Sequence, residues 1–294
     1  MVKALLLKAT RGVLRASVRT QLLPYRGSAM LHYCRRKAAH RWPELQFVTT
    51  YADRVRVTVK LSDHIESQLF WFGYQEADQG LLDLLRRELP SAGVFVDIGA
   101  NIGSFSLVAA RAMSAGRVIA FEPSPLHFRR LENNIEINGF SNITAINSGV
   151  GATGGEAVLS RPVSSAGINN SGTASLFGVE DATQEVVSET VSMVRLDEQL
   201  AGARVDAIKI DVEGAEMAVL RGAAATLERH RPVVYMEVDR ENLARAGTSV
   251  GELFQFWESL DYRVETIRSD GGTRSVAGPD ELRKHQNVRC SPAT

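Results

Sequence analysis

The chain has 294 residues, of which 44% are hydrophobic, and its 34 basic residues balance 34 acidic ones. This length and composition suit one large α/β domain with a sizeable core and an N-terminal extension. The two cysteines are far apart and argue against a disulfide framework or a zinc site, and no apolar stretch reaches the ~20 residues of a membrane span, so we expect a reducing, cytoplasmic location.

The basic charge is concentrated at the N-terminus. Residues 1–43 hold ten Lys or Arg residues and no Asp or Glu, which leaves 24 basic against 34 acidic residues in the rest of the chain. Within 1–23, basic residues fall on one face of a helix and apolar residues on another. We expect a basic helical extension over 1–45 that packs on its own domain, contacts a membrane surface or a protein partner, or acts as a mitochondrial-type presequence.

A hairpin of two short strands is predicted next, over 47–51 and 55–61, and the second strand alternates valines with polar residues as a half-buried strand does. A helix is predicted over 76–89, where Pro90 ends it. Strands and helices then alternate, which predicts a mostly parallel sheet with helices on both faces, a doubly wound, Rossmann-like α/β fold. The predicted elements of this first half are strand 93–98, helix 104–113, strand 117–121, helix 125–137 and strand 142–146.

The segment 149–183 is rich in Gly, Ser, Asn and Thr and interrupts this alternation. It predicts a short hairpin and a flexible loop, and we expect residues 160–188 to form a substrate loop over the site. The domain is expected to cover 46–294, with the cofactor half over about 70–150. The later predicted elements are strand 189–195, helix 196–200, strand 206–211, helix 214–228, strand 233–238, helix 250–260, strand 262–267 and strand 286–290.

A glycine-rich turn follows the strand over 93–98. Gly99 and Gly103 lack a Cβ atom, so the backbone there can turn sharply and approach a ligand, and the next helix begins with unpaired N–H groups. About 23 residues beyond Gly99, Glu122 ends the next apolar strand, where an acid can accept hydrogen bonds from the ribose hydroxyls of an adenosine. The pattern predicts the first βαβ unit of a nucleotide-cofactor domain.

Asp97, just before the turn, indicates which cofactor this unit binds. A dinucleotide would place its pyrophosphate over the turn, where a carboxylate repels it, and the closely spaced first two glycines of the dinucleotide fingerprint are missing. S-adenosylmethionine instead brings an ammonium and a sulfonium group, which a carboxylate attracts. We therefore favour S-adenosylmethionine; the alternatives are a nicotinamide cofactor and a purely turn-capping Asp97.

A second polar group ends the strand over 206–211. The two-residue period of a strand places Lys209, Asp211 and Glu213 toward one side, and open α/β sheets bind ligands beyond the carboxyl ends of their strands. These residues are therefore expected where a substrate meets the methyl group of the cofactor. The alternative is that Lys209 and Asp211 form a structural ion pair.

These motifs, in this order and spacing, resemble the FkbM family of methyltransferases. The resemblance covers about residues 70–240, and the matching segments are 72–76, 96–103, 120–123, 131–134 and 208–216. It implies a class I methyltransferase fold with seven strands, the last one antiparallel, and O-methylation of a hydroxyl on a sugar or another natural product. Gly149 departs from the family pattern, in which alanine is usual at this position.

The chemistry of methyl transfer gives each site residue an expected role. The methionine end of S-adenosylmethionine would be held by residues at the turn and upstream of it: Glu76, Asp97, Gly99, Asn101 and Gly103. Glu122 would bind the ribose. Asp211 or Glu213 would accept the proton of the acceptor hydroxyl, and Lys209 would tune that acid or orient the acceptor. The implied partner is a small molecule or a glycan that carries the hydroxyl acceptor.

Two other classes of function stay open at the level of sequence: a nicotinamide-dependent oxidoreductase, and a non-catalytic binding module that keeps the fold. A nucleic-acid substrate is disfavoured, because the body of the protein is acidic and its basic segment lacks interleaved aromatic residues. We expect no metal, although Asp211, Glu213 and Glu237 offer the oxygen ligands that Mg²⁺ prefers.

Overall fold

The computed structural model describes residues 7–11, 24–52, 54–73, 78–163, 171–178 and 185–293. After a helical segment at 7–11, the helices and strands are α1 (Pro24–Arg41), β1 (Gln46–Tyr51), β2 (Val55–Lys60), α2 (His64–Trp71), α3 (Gln79–Glu88), β3 (Val94–Ile98), α4 (Ser104–Ala112), β4 (Arg117–Phe121), α5 (Pro125–Asn138), β5 (Ile143–Ile146), β6 (Gly149–Val150), β7 (Gly155–Val163), β8 (Glu185–Val194), α6 (Leu196–Leu200), β9 (Ala207–Ile210), α7 (Glu216–Gly222), α8 (Ala224–His230), β10 (Val233–Asp239), α9 (Arg240–Arg245), α10 (Val250–Ser259), β11 (Tyr262–Ile267), β12 (Thr273–Ser275) and β13 (His285–Pro292).

Eight strands form the central sheet, in the order β12-β11-β13-β10-β9-β3-β4-β5. The five strands from β10 to β5 are parallel, and β13 lies antiparallel between β10 and β11. The predicted α/β fold with an antiparallel last strand is confirmed. The predicted count of seven strands is one too low, because a turn at 271–272 returns the chain so that β12 pairs with the edge of β11.

The two central strands, β3 and β9, are buried along their whole length. Phe95 of β3 packs with Leu107 of α4 in one apolar cluster, whereas Val96 packs with Leu220 of α7 in another. Helices therefore cover both faces of the sheet, which explains why these strands are nearly continuous apolar runs. The strand order reverses between β3 and β9, so their carboxyl ends border the crevice in which such sheets bind ligands.

A hairpin and the helices α1, α2 and α3 precede this sheet. β1 and β2 pair antiparallel as predicted, and the three valines of β2 are fully buried. The helix α2 was not predicted; Asp63 caps it by accepting a hydrogen bond from the backbone N–H of Glu66. Arg35 of α1 contacts Ser67 of α2, so the basic extension lies against this helix.

Most of the basic helix predicted over 1–23 lies outside the described residues. Of this range, the structure describes only the helical segment at 7–11. α1 continues the basic extension and carries no acidic residue. Within the described part of the chain, no helix is long and apolar enough to cross a membrane. The role of the extension and its boundary at residue 45 stay predictions.

Two strands of the segment predicted as a short hairpin and a loop, β6 and β7, join β8 in a second, three-stranded sheet in the order β6-β8-β7. β7 pairs antiparallel with β8 over nine residues, and β8 begins at Glu185, before the start of the strand predicted over 189–195. Buried Leu159 and Val191 anchor this hairpin to the domain, and β-branched residues favour its extension. Within the predicted substrate loop, residues 164–170 and 179–184 lie outside the described part of the chain.

The prediction of a single helix over 214–228 is wrong, because two helices, α7 and α8, meet at Ala223. The carboxylate of Asp197 accepts hydrogen bonds from two backbone N–H groups in the first turn of α8, which caps a new helix there. At the end of α7, a Cβ atom on Gly222 would lie 2.0 Å from the carbonyl oxygen of Gly151. Both contacts come from distant segments, so no local pattern indicates the break.

Candidate active site

A cleft follows the carboxyl ends of β3, β4, β9 and β10, and residues of the small sheet β6-β8-β7 also line it. One end of the cleft is acidic, with side chains from Asp78, Asp211, Glu213 and Glu237. Its middle is formed by the glycine turn and Glu122, which are joined by a hydrogen bond. Its other end is mostly apolar and is lined by Pro123, Gly149, Val150, Leu159 and Met193.

The glycine turn joins the ends of three strands. The φ angles of Gly99 and Gly103 are +78° and +92°, in the region that favours glycine. A Cβ atom on Gly99 would lie 1.8 Å from the carbonyl oxygen of Asp211, so the backbones of β3 and β9 meet directly beyond their last residues. The N–H of Gly99 donates to the carbonyl oxygen of Phe121 at 3.0 Å, which fixes the turn against β4.

Asp97 lies beneath the turn, fully buried, and is not among the cleft-lining residues. Its Oδ2 atom accepts a hydrogen bond of 2.5 Å from the Ser106 hydroxyl, and its Oδ1 atom lies 3.4 Å from the Lys209 ammonium. The protein itself therefore balances the charge of this carboxylate. Its predicted contact with a cofactor stays a prediction, and so does that of Gly103, which packs against Leu131.

Glu122 lies at the middle of the cleft and is held by backbone groups. Its Oε2 atom accepts from the N–H of Asn101 at 2.8 Å, and its Oε1 atom accepts from the N–H of Ser124 at 2.9 Å. Burial raises the pKa of Glu122 to about 7, although these two hydrogen bonds act in the opposite direction. Burial also lowers the pKa of the neighbouring His127 to about 4, so that imidazole is neutral at pH 7.

Lys209 is buried between the two polar groups found in the sequence. Its Nζ atom lies 3.2 Å from Asp211 Oδ2, 3.4 Å from Asp97 Oδ1 and 4.7 Å from the centre of the Phe105 ring. Burial lowers the pKa of Lys209, but the carboxylates of Asp211 and Asp97 outweigh that effect and raise it. Lys209 thus stays charged and ties the acid below the turn to the acid at the end of β9.

The structure brings Asp211, Glu213 and Glu237 together, with carboxylate oxygens within 4.8 Å of one another. Burial and the nearby Asp211 raise the pKa of Glu213 to about 8. The Asn242 side chain donates to Glu213 Oε2 at 2.5 Å and fixes its orientation. Burial and Asp211 also raise the pKa of Glu237. The three oxygens are close enough to share one divalent cation. Because the distances permit a metal ion, its presence has to be tested by removing divalent cations with a chelator.

Sequence reasoning missed three contributors to the acidic end. Asp78, just before α3, is buried in the cleft lining, where burial and Asp211 raise its pKa to about 6. His285 on β13 places Nε2 3.1 Å from Glu237, and Asn242 comes from the unpredicted helix α9. Only the pairing of β13 with β10 brings His285 here, so no local motif could have found it.

The predicted cofactor residue Glu76 lies outside the described residues, and its role stays a prediction. Gly99, Asn101 and Glu122 all line the cleft. The order of the lining also fits S-adenosylmethionine: a glycine turn for the amino-acid part, a carboxylate with free lone pairs for the ribose, and an apolar end for the purine. At Gly99 the Asp211 carbonyl oxygen lies too close for any side chain, so the backbone of the turn itself borders the cleft.

Comparison with known proteins agrees with these features. Residues 97–264 match the family model described as the methyltransferase FkbM domain. "Methyltransferase 1" of Beauveria bassiana is 32% identical over 147 residues, which are 45% of this chain and 59% of that protein. "Methyltransferase sdnD" of Sordaria araneosa is 30% identical over 161 residues, 46% of this chain and 61% of that protein.

A third relative, "Hexuronic acid methyltransferase AglP" of Haloferax volcanii, is 27% identical over 154 residues, 51% of this chain and 58% of that protein. The chain thus spans about 60% of the length of these three relatives. A solved FkbM methyltransferase structure from Methylobacillus flagellatus KT superposes with a TM-score of 0.44 at 19% identity, over 68% of this chain and 44% of that chain.

Proposed function

The chain belongs to the FkbM family of methyltransferases, and we propose that it transfers a methyl group from S-adenosylmethionine to a hydroxyl oxygen of a small-molecule or glycan acceptor. One observation carries this proposal: a single cleft joins the glycine turn and Glu122 to a group of carboxyls at the end of β9. The first part suits an adenosyl amino acid, and the second suits a hydroxyl that must lose its proton.

The bound cofactor would supply an electrophilic methyl group on a sulfonium. The residues of this chain align the acceptor with that group and remove its proton, which are the two tasks of such a displacement. Glu213 is the better candidate for the base, because a pKa of about 8 is close to the working pH and Asn242 holds its carboxyl group in place. Asp211, paired with Lys209, would position the acceptor.

The acidic end of the cleft also restricts the charge that the acceptor can carry. Asp78, Asp211, Glu213 and Glu237 surround it, and Lys209, the one Lys or Arg among the described lining residues, already contacts two carboxylates. An anionic group there would add to the repulsion among these acids. We therefore propose a neutral or amine-bearing acceptor, although the relative from Haloferax volcanii is named for a hexuronic acid.

Methyl transfer from isotope-labelled S-adenosylmethionine tests this function on matched acceptors of three charges: a neutral hexoside, an amino-hexoside and a hexuronide. We expect methyl ethers from the neutral or amino acceptors, and at least tenfold lower kcat/KM for the hexuronide. A methyl group on nitrogen or on a carboxylate would overturn the assignment to a hydroxyl oxygen. Transfer confined to the hexuronide would overturn the proposed acceptor class.

Two other functions make different predictions for the same protein. A nicotinamide-dependent oxidoreductase would bind NAD⁺ and would not bind S-adenosylhomocysteine. A non-catalytic module would transfer no methyl group to any acceptor. The acidic end of the cleft disfavours a pyrophosphate, which supports the methyltransferase over the oxidoreductase.

A further inference from the structure

The apolar end of the cleft contains an unusual fit between Gly149 and Met193. The two residues face each other where β6 pairs with β8. A Cβ atom on Gly149 would lie 2.6 Å from the Sδ atom and 3.0 Å from the Cε atom of Met193. The thioether of Met193 therefore occupies the space that an alanine side chain would take at position 149.

Backbone conformation does not explain this glycine. Gly99 and Gly103 have φ angles in the left-handed region, whereas Gly149 does not and could carry a side chain without backbone strain. The obstacle to a side chain at 149 comes from Met193 and, at 3.5 Å, from Pro123. The absence of a side chain at position 149 is thus matched by a long side chain on the facing strand.

The position of this pair along the cleft indicates what it faces. Gly149 and Met193 line the cleft with Val150 and Leu159, beyond Glu122 as seen from the acidic end. The Asn147 side chain donates to the carbonyl oxygen of Glu122 at 2.8 Å, which holds the segment before Gly149 beside the end of β4. If Glu122 binds the ribose, as the proposed function requires, the purine extends toward these apolar residues.

We propose that Met193 closes the purine end of the cofactor cleft and sets its depth, and that Gly149 provides the seat for its side chain. The inference rests on the proposed function. A thioether is polarizable, packs well against an aromatic ring and leaves the purine edge without room for additional groups. The small sheet β6-β8-β7 therefore contributes a specificity-determining residue to the cofactor site.

The test compares two ligands by isothermal titration: S-adenosylhomocysteine and the same molecule with a benzyl group on the purine N6. The native protein should bind the first and bind the second at least 100-fold more weakly. Met193→Ala should weaken binding of the plain ligand about tenfold, because it removes the contact with the ring. It should strengthen binding of the benzyl analogue at least tenfold, a gain that a merely structural role of Met193 would not produce.

A double-mutant cycle tests whether the space beside Gly149 holds the Met193 side chain. Gly149→Ala should displace the Met193 side chain into the cleft and weaken binding of S-adenosylhomocysteine about tenfold. The Gly149→Ala/Met193→Ala double variant should bind no more weakly than Met193→Ala alone, since a short side chain no longer fills the seat. Gly154→Ala is the matched control, because its Cβ atom would meet only the Met193 carbonyl oxygen at 3.5 Å.

Met193→Leu should retain the affinity of the native protein and keeps the test informative if Met193→Ala folds poorly. The inference is overturned if Met193→Ala binds both ligands as the native protein does, or if Gly149→Ala leaves the affinity unchanged. If the native protein itself does not bind S-adenosylhomocysteine, the proposed function fails, which is a different result.

Discussion

Replacing Lys209 by methionine tests how the negative charges of Asp97 and Asp211 are compensated. The ammonium lies 3.4 Å from Asp97 Oδ1 and 3.2 Å from Asp211 Oδ2, and Lys209 is 3% exposed. Methionine keeps most of the volume of the side chain but removes the charge. Asp97 would then be a buried carboxylate that keeps its hydrogen bond from the Ser106 hydroxyl but has lost its cation.

The expected cost is about 3 kcal/mol in the free energy of unfolding. Removing one partner of a buried ion pair typically costs about 3–5 kcal/mol. The lower end applies here, because Asp97 keeps its hydrogen bond to Ser106, and the side chain of Asp211 is 33% exposed and can be hydrated. Combining Lys209→Met with Asp97→Asn should recover at least about 1 kcal/mol, because neither buried charge remains.

Urea unfolding of the variants measures these differences. Lys60→Met is the matched control: Lys60 pairs with Glu44 at 3.5 Å, Glu44 is 86% exposed, and the loss should stay below about 1 kcal/mol. If Lys209→Met costs no more than this control, Lys209 does not balance Asp97. If the Asp97→Asn double variant is less stable than Lys209→Met alone, the buried charge is not the source of the cost.

Four further predictions concern the cleft. Glu122→Gln should weaken binding of S-adenosylhomocysteine about 10–100-fold in isothermal titration, because the amide replaces one accepting oxygen by an NH₂ group that cannot accept hydrogen bonds. Glu132→Gln, on the exposed face of α5, should change nothing. Glu213→Gln should lower kcat at least about 100-fold, and a smaller loss would assign the base elsewhere. In the native protein Glu213 must lose its proton to act as the base, so kcat/KM should rise with pH up to about 8, and a profile flat between pH 6 and 9 would contradict this role. Methyl transfer should continue in EDTA, whereas loss of activity that Mg²⁺ restores would place a cation on the acids.

The sequence predicts the elements that depend on local pattern. The buried strands β3 and β9 are continuous apolar runs, and the glycines of the turn need their positive φ angles whatever packs around them. Glu122 could be placed because its distance from Gly99 is set by one strand-helix-strand unit. These features depend on short stretches of chain, and the structure has them as expected.

Other features depend on which strands become neighbours. The ion pair of Asp97 with Lys209 could not be predicted, because Lys209 lies more than 100 residues away, on a strand whose pairing with β3 no local pattern reveals. Asp78 and His285 reach the acidic end from opposite ends of the domain for the same reason. The break between α7 and α8 likewise depends on Asp197 in a separate helix.

Isothermal titration with S-adenosylhomocysteine, with NAD⁺ as the control ligand, tests the central claim most directly. It requires no knowledge of the acceptor. Glu122 could bind the adenosine ribose of either ligand, whereas only NAD⁺ brings a pyrophosphate to the turn. We predict saturable binding of S-adenosylhomocysteine with one site per chain, and no binding of NAD⁺. Binding of NAD⁺ alone, or of neither ligand, would contradict the assignment of this cleft to S-adenosylmethionine.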